Sequence, residues 1–236
     1  MSTAPDPRRP LTRERIVRAA LALIDERGLD ALTMRRLGAD LGVRAMSLYK
    51  HVPSKDAILD GVRKLLLDDF AAALPAGPAD DWREDLGAFA RAYRGLGRAH
   101  PEAFGLLARG PERAYVAGSA LAEAAIARLL DAGLDRATAI HAQRTIVRFV
   151  LGASLLEQAA DDSPAPVSGA ELAALSSERP LVGELMRSLG PGSDEALFEF
   201  GLDALLAGVA QRVASDTTSG GGAPGIRRAP SRATPS

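Results

Sequence analysis

The chain has 236 residues, 47% of them hydrophobic and 25% charged, with a net charge of −1 and no cysteine. It carries enough apolar material for a buried core, which excludes a wholly disordered chain. Without thiols it builds no disulfide scaffold, cysteine nucleophile or cysteine–zinc site, and no uninterrupted apolar run approaches the ~18 residues of a membrane-spanning helix.

Residues 1–10, MSTAPDPRRP, carry arginines and prolines with no apolar stretch behind them, so they read as a flexible leader and not as a secretory signal. A cytoplasmic location is expected, with no membrane partner. Leu11-Thr12-Arg13-Glu14 then opens a helix. Thr12 caps it, Glu14 sits in its positive first turn, and Leu11 staples onto Ile16. Ile16, Ala19, Ala20, Leu23 and Ile24 keep helical spacing until Gly28 supplies a left-handed stop. A second helix is predicted over 34–40, capped by Thr33 and stapled by Leu32 and Leu37. Gly42 turns the chain into a third short helix over 44–51. Pro53 breaks it, Ser54 caps, and a fourth helix runs from 55 to about 74.

Pro75-Ala-Gly-Pro78 is the clearest break in composition. Beyond it, helices are predicted over 82–98, over 101–108 with a proline in the first turn, over 112–132 with Gly133 as stop, and over 135–158. Residues 161–180 read mostly as a mobile loop, 181–189 as a short helix, and 193 to about 213 as a last helix capped by Ser193. Residues 215–236 lack periodicity and read as a disordered tail. No β alternation and no long repeat occurs. The fold class is all-α, with a small helical unit at 11–56 and a larger one at 57–214.

The charge is unevenly spread. From Arg8 to Lys55 there are eleven Lys and Arg against five Asp and Glu, and from Asp56 onward eighteen against twenty-four. A basic unit joined to an acidic one suits a nucleic-acid reader attached to something else, and chance surface charge suits the count equally well.

Two short helices joined by a glycine turn, Leu41-Gly42-Val43, after a longer supporting helix, make a helix-turn-helix pattern. Leu37, Leu41 and Leu48 must then pack inward, so that the other face of the third helix offers Arg44, Ser47, Tyr49, Lys50 and His51 to a major groove. Ala45 and Met46 are small or apolar enough for thymine methyls, and Lys55 opens the next helix where it reaches a phosphate. A generic bundle with a solvated basic face carries the same bare pattern.

The stretch LTRERIVRAALALIDERGLDALTMRRLGADLGVRAMSLYKHVPSKDAIL resembles the DNA-binding domain of the tetracycline-repressor (TetR) family over about fifty residues. The resemblance rests on the Gly-Leu-Asp-Ala-Leu-Thr junction, the Leu-Gly-Val turn, the Leu-Tyr-x-His-Val end of the third helix and the lysine after it. It implies that Thr33 and Arg35 touch DNA from the second helix. Arg44, Ala45, Met46, Ser47, Tyr49, Lys50 and His51 would line the third, and Lys55 would hold phosphate. His51 also reads as a helix-end residue packed on the fourth helix. More loosely, residues 148–158, Arg-Phe-Val-Leu-Gly-Ala-Ser-Leu-Leu-Glu-Gln, resemble the regulatory domain of the same family, where that region joins a four-helix dimer interface and abuts the ligand pocket. A tetracycline–magnesium site needs histidines on the pocket helices. Here Phe104–Leu106 and Arg148 stand at those places, so neither tetracycline nor a metal nor another cofactor is expected.

The residues themselves point to a homodimer. The last helix is apolar nearly all round, through Leu197, Phe198, Phe200, Leu202, Leu205, Leu206, Val209 and Val213, and Gly201, Ala204 and Gly208 leave room for another helix. The helix at 135–158 has two apolar faces, one of them carrying Leu151 and Leu155. A helix apolar all round must be buried on all sides, by a partner chain or in a central core. For a small-molecule effector the expected surroundings are Tyr93, His100, Phe104, Leu107, Tyr115 and Phe149, with His141, Arg144, Thr145 and Arg148 as a polar stripe. An aromatic at helical spacing is more often core than binding site, the stripe reads equally as salt-bridged or solvated, and His100, before Pro101, reads first as a turn residue. The expectation is therefore a transcriptional regulator, most simply a repressor released from a palindromic operator by a ligand, with an activator of the same fold as the alternative. An enzyme is not expected, because no nucleophile–base set, phosphate loop or metal cluster is present. A structural adaptor would have no need of the basic face.

Overall fold

The computed structural model describes residues 10–161, 167–188 and 193–219. Among them are twelve α-helices and no strand: α1 Arg13–Arg27, α2 Met34–Asp40, α3 Ala45–Leu48, α4 Lys55–Ala73, α5 Trp82–Ala99, α6 Pro101–Ala108, α7 Pro111–Ala117, α8 Ser119–Asp131, α9 Arg136–Asp161, α10 Gly169–Glu178, α11 Pro180–Ser188 and α12 Ser193–Ser219. The leader at 1–9 and the tail from 220 lie outside the described residues.

Three of the first four helices, α1, α2 and α4, start where side chains can satisfy free backbone amides. Thr12 Oγ1 accepts from the Arg15 amide at 3.2 Å, Thr33 Oγ1 from the Arg36 amide at 3.2 Å, and Ser54 Oγ from the Ala57 amide at 3.1 Å. Each such cap contributes about 1 kcal/mol. One connected core unites the molecule. In the small unit it holds Ile16, Ala20, Ile24, Leu37, Leu48 and Val52. It continues along α4 through Ile58, Val62, Leu66 and Phe70, and reaches Ala90, Phe104, Leu129, Ile146, Val150, Phe198 and Leu202 in the larger part. Residues 56 and 57 both lie in the first turn of α4, so the two units share that helix. With 19 residues, α4 is about 28 Å long.

Arg94 ties α5, α9 and α12 together. Nearly wholly buried, it donates to Glu157 at 2.8 Å and to Glu195 at 3.0 Å, and its guanidinium lies 4.2 Å from the centroid of the Phe198 ring. A buried cation needs such partners to offset its desolvation.

Four expectations change. The third helix is regular only over Ala45–Leu48, and residues 49–51 continue as turns. The helix expected over 112–132 divides at Gly118, which abandons helical geometry (ψ 26°) and sits where a Cβ would meet Leu67 of α4 at 3.1 Å. Residues 169–178, expected as loop, form α10, because Ser168 and Glu171 make a reciprocal capping box; residues 162–166 lie outside the described ones. The tail was expected to begin at 215, whereas α12 reaches Ser219.

Candidate functional site

The α2–α3 pair stands out from the body because its apolar residues turn inward. Leu37 and Leu48 are fully buried and Leu41 nearly so. Two glycines make the tight corner. Gly42 takes φ 69°, a left-handed turn that few other residues adopt. At Gly38 a Cβ would lie 2.9 Å from Val43 O and 3.2 Å from Ala45 N, so only glycine lets α2 touch the start of α3. The Val43 amide donates to Gly38 O at 2.8 Å and closes the corner. Attention to the turn residue Gly42 alone overlooked Gly38.

The outward face carries Thr33, Arg35, Arg44, Met46, Tyr49, Lys50, His51 and Lys55, all exposed, with Ala45 and Ser47 half-buried among them. Met46 is 73% exposed although apolar. None of Arg35, Arg44, Lys50 and Lys55 belongs to an ion pair among the described residues. Four unpaired cations around an exposed short helix, with a hydroxyl, a phenol and an apolar group between them, have the makings of a groove-reading surface.

In the larger part, α4 to α9 enclose a cavity of about 270 Å³, lined on its apolar side by Leu67, Phe70, Phe89, Tyr93, Leu107 and Val147. Five of the residues expected around an effector meet there: Tyr93, Leu107, Tyr115, Arg144 and Arg148. Burial pushes the Tyr93 phenol up, so it stays protonated. The Tyr115 hydroxyl donates to Gln143 Oε1 at 3.4 Å, and Arg144 and Arg148 stand at the exposed side of α9.

Five expected residues lie elsewhere, Thr145 among them, exposed on α9 and outside the lining. Phe104 is fully buried behind Tyr93, ring centroids 5.2 Å apart, and is core. Phe149 stacks on Phe198 at 5.3 Å. His141 is exposed and does not line the cavity. His100 caps α6, with its Nδ1 2.7 Å from Asp25 Oδ2 on α1. Phe70, Phe89 and Gln143 line the cavity and were not anticipated. Their spacing is that of any core helix, and nothing in it marks a cavity whose wall also includes Gly118, at the end of α7. The lining includes no histidine, aspartate or glutamate, so it lacks the donor set that a divalent ion requires.

The expected interface residues divide in the same way. Phe198, Leu202 and Val209 face inward and are buried in the chain's own core. Gly201 makes room for Phe149 of the same chain, where a Cβ would meet the ring at 2.6 Å. Leu151 is half-buried at the cavity wall, and Leu155 and Leu205 are half-buried. Gly208 has open space beside it. The outward stripe of α12 is instead Leu197, Phe200, Ala204 and Ala207, spaced by three and four residues and all exposed, with Leu156 exposed on α9. Phe200 and Leu156 are each 74% exposed.

Residues 16–62 match the family of bacterial regulatory proteins called the tetR family, and residues 74–213 match the tetracyclin repressor-like C-terminal domain. The chain is 34% identical over 199 residues to the tetracycline repressor protein class A of Escherichia coli transposon 1721, covering 84% of this chain and 89% of that protein. It superposes on a possible TetR family transcriptional regulator of Streptomyces coelicolor A3(2) with a TM-score of 0.69 at 31% identity, covering 84% and 98% of the two chains. The S. coelicolor TetR family protein ActR, solved with actinorhodin, gives a TM-score of 0.67 at 27% identity, covering 87% and 99%. With its helix-turn-helix at the start and its helical body behind, this chain belongs to the TetR family of DNA-binding transcriptional regulators.

Proposed function

We propose that the protein is a homodimeric repressor whose two reading heads grip a palindromic operator and let go when a small molecule enters the cavity between α4 and α9. The observation that carries the DNA half is the unpaired basic face around α3. Thr33, Arg35, Arg44, Ala45, Met46, Ser47, Tyr49, Lys50, His51 and Lys55 are its contact set. A dimer presents two such faces to successive major grooves, with half-site centres ~34–36 Å apart or a multiple of that. The exposed stripe on α12, with Leu156 of α9, supports the dimer, since an apolar seam of this length is rarely left to water.

The ligand half rests on where the cavity sits. Leu67 and Phe70 of α4 form part of its wall, and the same helix packs on α1 so closely that a Cβ on Gly61 would lie 2.5 Å from Val17. Arg63, buried on α4, donates to Leu106 O at 3.2 Å and to Arg109 O at 3.1 Å, at the end of α6. Leu107 and Ala108, beside those carbonyls, line the cavity. A ligand that displaces the end of α6 thus pulls on α4 through Arg63 and changes the spacing of the heads. Relatives solved with minocycline and with actinorhodin support a small-molecule effector for this architecture. The coupling is reciprocal: the ligand weakens operator binding by the factor by which operator weakens ligand binding. Titration of labelled operator duplex at several salt concentrations tests the DNA half. Tight, strongly salt-dependent binding by the wild type, lost in Arg44→Ala and Lys50→Ala, is the expected result.

A further inference from the structure

The charge of the cavity is unbalanced. Its lining includes two cations, Arg144 and Arg148, and no acidic residue. The two guanidiniums stand four residues apart on α9 and therefore on one face. Neither belongs to an ion pair among the described residues. The wall supplied by α4 and α5 is aromatic: Phe70 lies 5.1 Å from Phe89 and 5.3 Å from Tyr93, and Phe89 lies 6.0 Å from Tyr93, between ring centroids. Aromatic walls alone suit either a flat apolar ligand or an organic cation. Two arginines at the same cavity repel the cation and the metal chelate alike, and their forked donors match a carboxylate. The cavity volume of about 270 Å³ is just below the usual range of ligand pockets, which begins at ~300 Å³, so it admits only a compact ligand.

We infer that the effector is a compact aromatic acid of one or two rings, stacked against Phe70, Phe89 and Tyr93, with its carboxylate held by Arg144 and Arg148 and no metal ion between. The inference deepens the ligand-switch reading and rests on it. Gln143 and Tyr115 form the polar spot at which a ring hydroxyl would be recognised.

The test compares benzoate and 2-naphthoate with benzamide and 2-naphthamide, their neutral isosteres, by calorimetry on the full-length chain. At least one acid binds the wild type ten times or more tighter than its amide. In Arg144→Gln/Arg148→Gln the two bind within about twofold of each other, and the amide binds as it does to wild type. Both arginines are exposed, so the double variant keeps the wild-type melting temperature. Equal binding of acid and amide, no binding of any of the four, or a preference that survives in the double variant overturns the inference. Operator titration with the same compounds separates it from the switch. An acid that binds through the arginines and leaves operator affinity unchanged upholds the ligand class and removes the switch. An amide that binds as tightly as its acid and releases operator upholds the switch and removes the ligand class.

Discussion

Arg44 and Lys50 present charge to solvent and belong to no ion pair among the described residues, so on the proposed reading their replacement removes contacts to DNA and little else. Arg44→Ala and Lys50→Ala each weaken operator binding by ~1–3 kcal/mol where a base edge is lost, and flatten the salt slope by about one unit where a phosphate is lost. Thermal melts of both variants match wild type, which titration and calorimetry on the same samples check. Gly38 behaves in the opposite way. Its missing side chain faces backbone atoms of Val43 and Ala45, which cannot swing aside as a flexible side chain would. Gly38→Ala therefore forces α2 and α3 apart at a cost of ~1–3 kcal/mol, read as a lowered melting temperature, and operator affinity falls with it. A Gly38→Ala protein that melts and binds like wild type would remove the close approach from the account.

At the scale of elements, the helices that could be read from sequence were those whose start is written locally. Thr12, Thr33 and Ser54 cap them, and Gly28 and Gly42 end or turn them. The Ser168–Glu171 capping box is equally local, but it lies in a stretch whose Ser, Pro, Ala and Gly read as loop. What sequence could not carry is contact between distant residues. Gly118 lies against Leu67, 51 positions earlier, and the two share the cavity wall. His100 looked like a turn residue or a pocket residue until Asp25, 75 positions away, came within 2.7 Å. The use Gly201 has within its own chain, giving room to the Phe149 ring 52 positions earlier, is of the same kind.

Two element contacts yield predictions. Arg63 joins α4 to the end of α6, so Arg63→Met leaves Leu106 O and Arg109 O without its donors and costs ~1–3 kcal/mol. Operator binding without ligand stays within a few-fold of wild type, while ligand-driven release is blunted. Titrating operator with and without ligand on both proteins checks this. Arg91 and Glu199 clamp α5 to α12 with bonds of 2.9 and 2.7 Å. The hydrogen bond from Arg91 holds the Glu199 carboxyl below its usual range. A carboxylate with a lowered folded-state pKa contributes stability above its unfolded value, and that contribution is lost as pH falls through the folded value. The pair is partly exposed, so Glu199→Gln costs at most ~1 kcal/mol at neutral pH. The difference from wild type begins to shrink as pH falls below the ordinary glutamate value of ~4.3 and vanishes only below the lowered folded-state value, which melts across pH detect.

The whole molecule is one connected core with a basic unit at one end and an unpartnered apolar stripe on its last helix. On the proposed dimer, the stripe decides assembly. Phe200 is exposed in the single chain, so Phe200→Glu leaves the fold of each protomer intact and places an unpaired charge in the dimer seam. Light scattering then reports a monomer. Operator affinity drops by about a hundredfold or more as the two heads cease to act together. A Phe200→Glu protein that remains dimeric would move the interface elsewhere.

Selection from a pool of random duplex DNA tests the central claim most directly, because it asks at once whether the chain reads sequence and whether it reads as a symmetric pair. Several rounds with the wild-type chain, sequenced against the same rounds with the Arg44→Ala/Lys50→Ala double variant, are required. The account predicts enrichment of a two-fold symmetric sequence by the wild type alone, its half-site centres separated by ~34–36 Å or a multiple of that. An asymmetric site, or the same enrichment by the double variant, would contradict it.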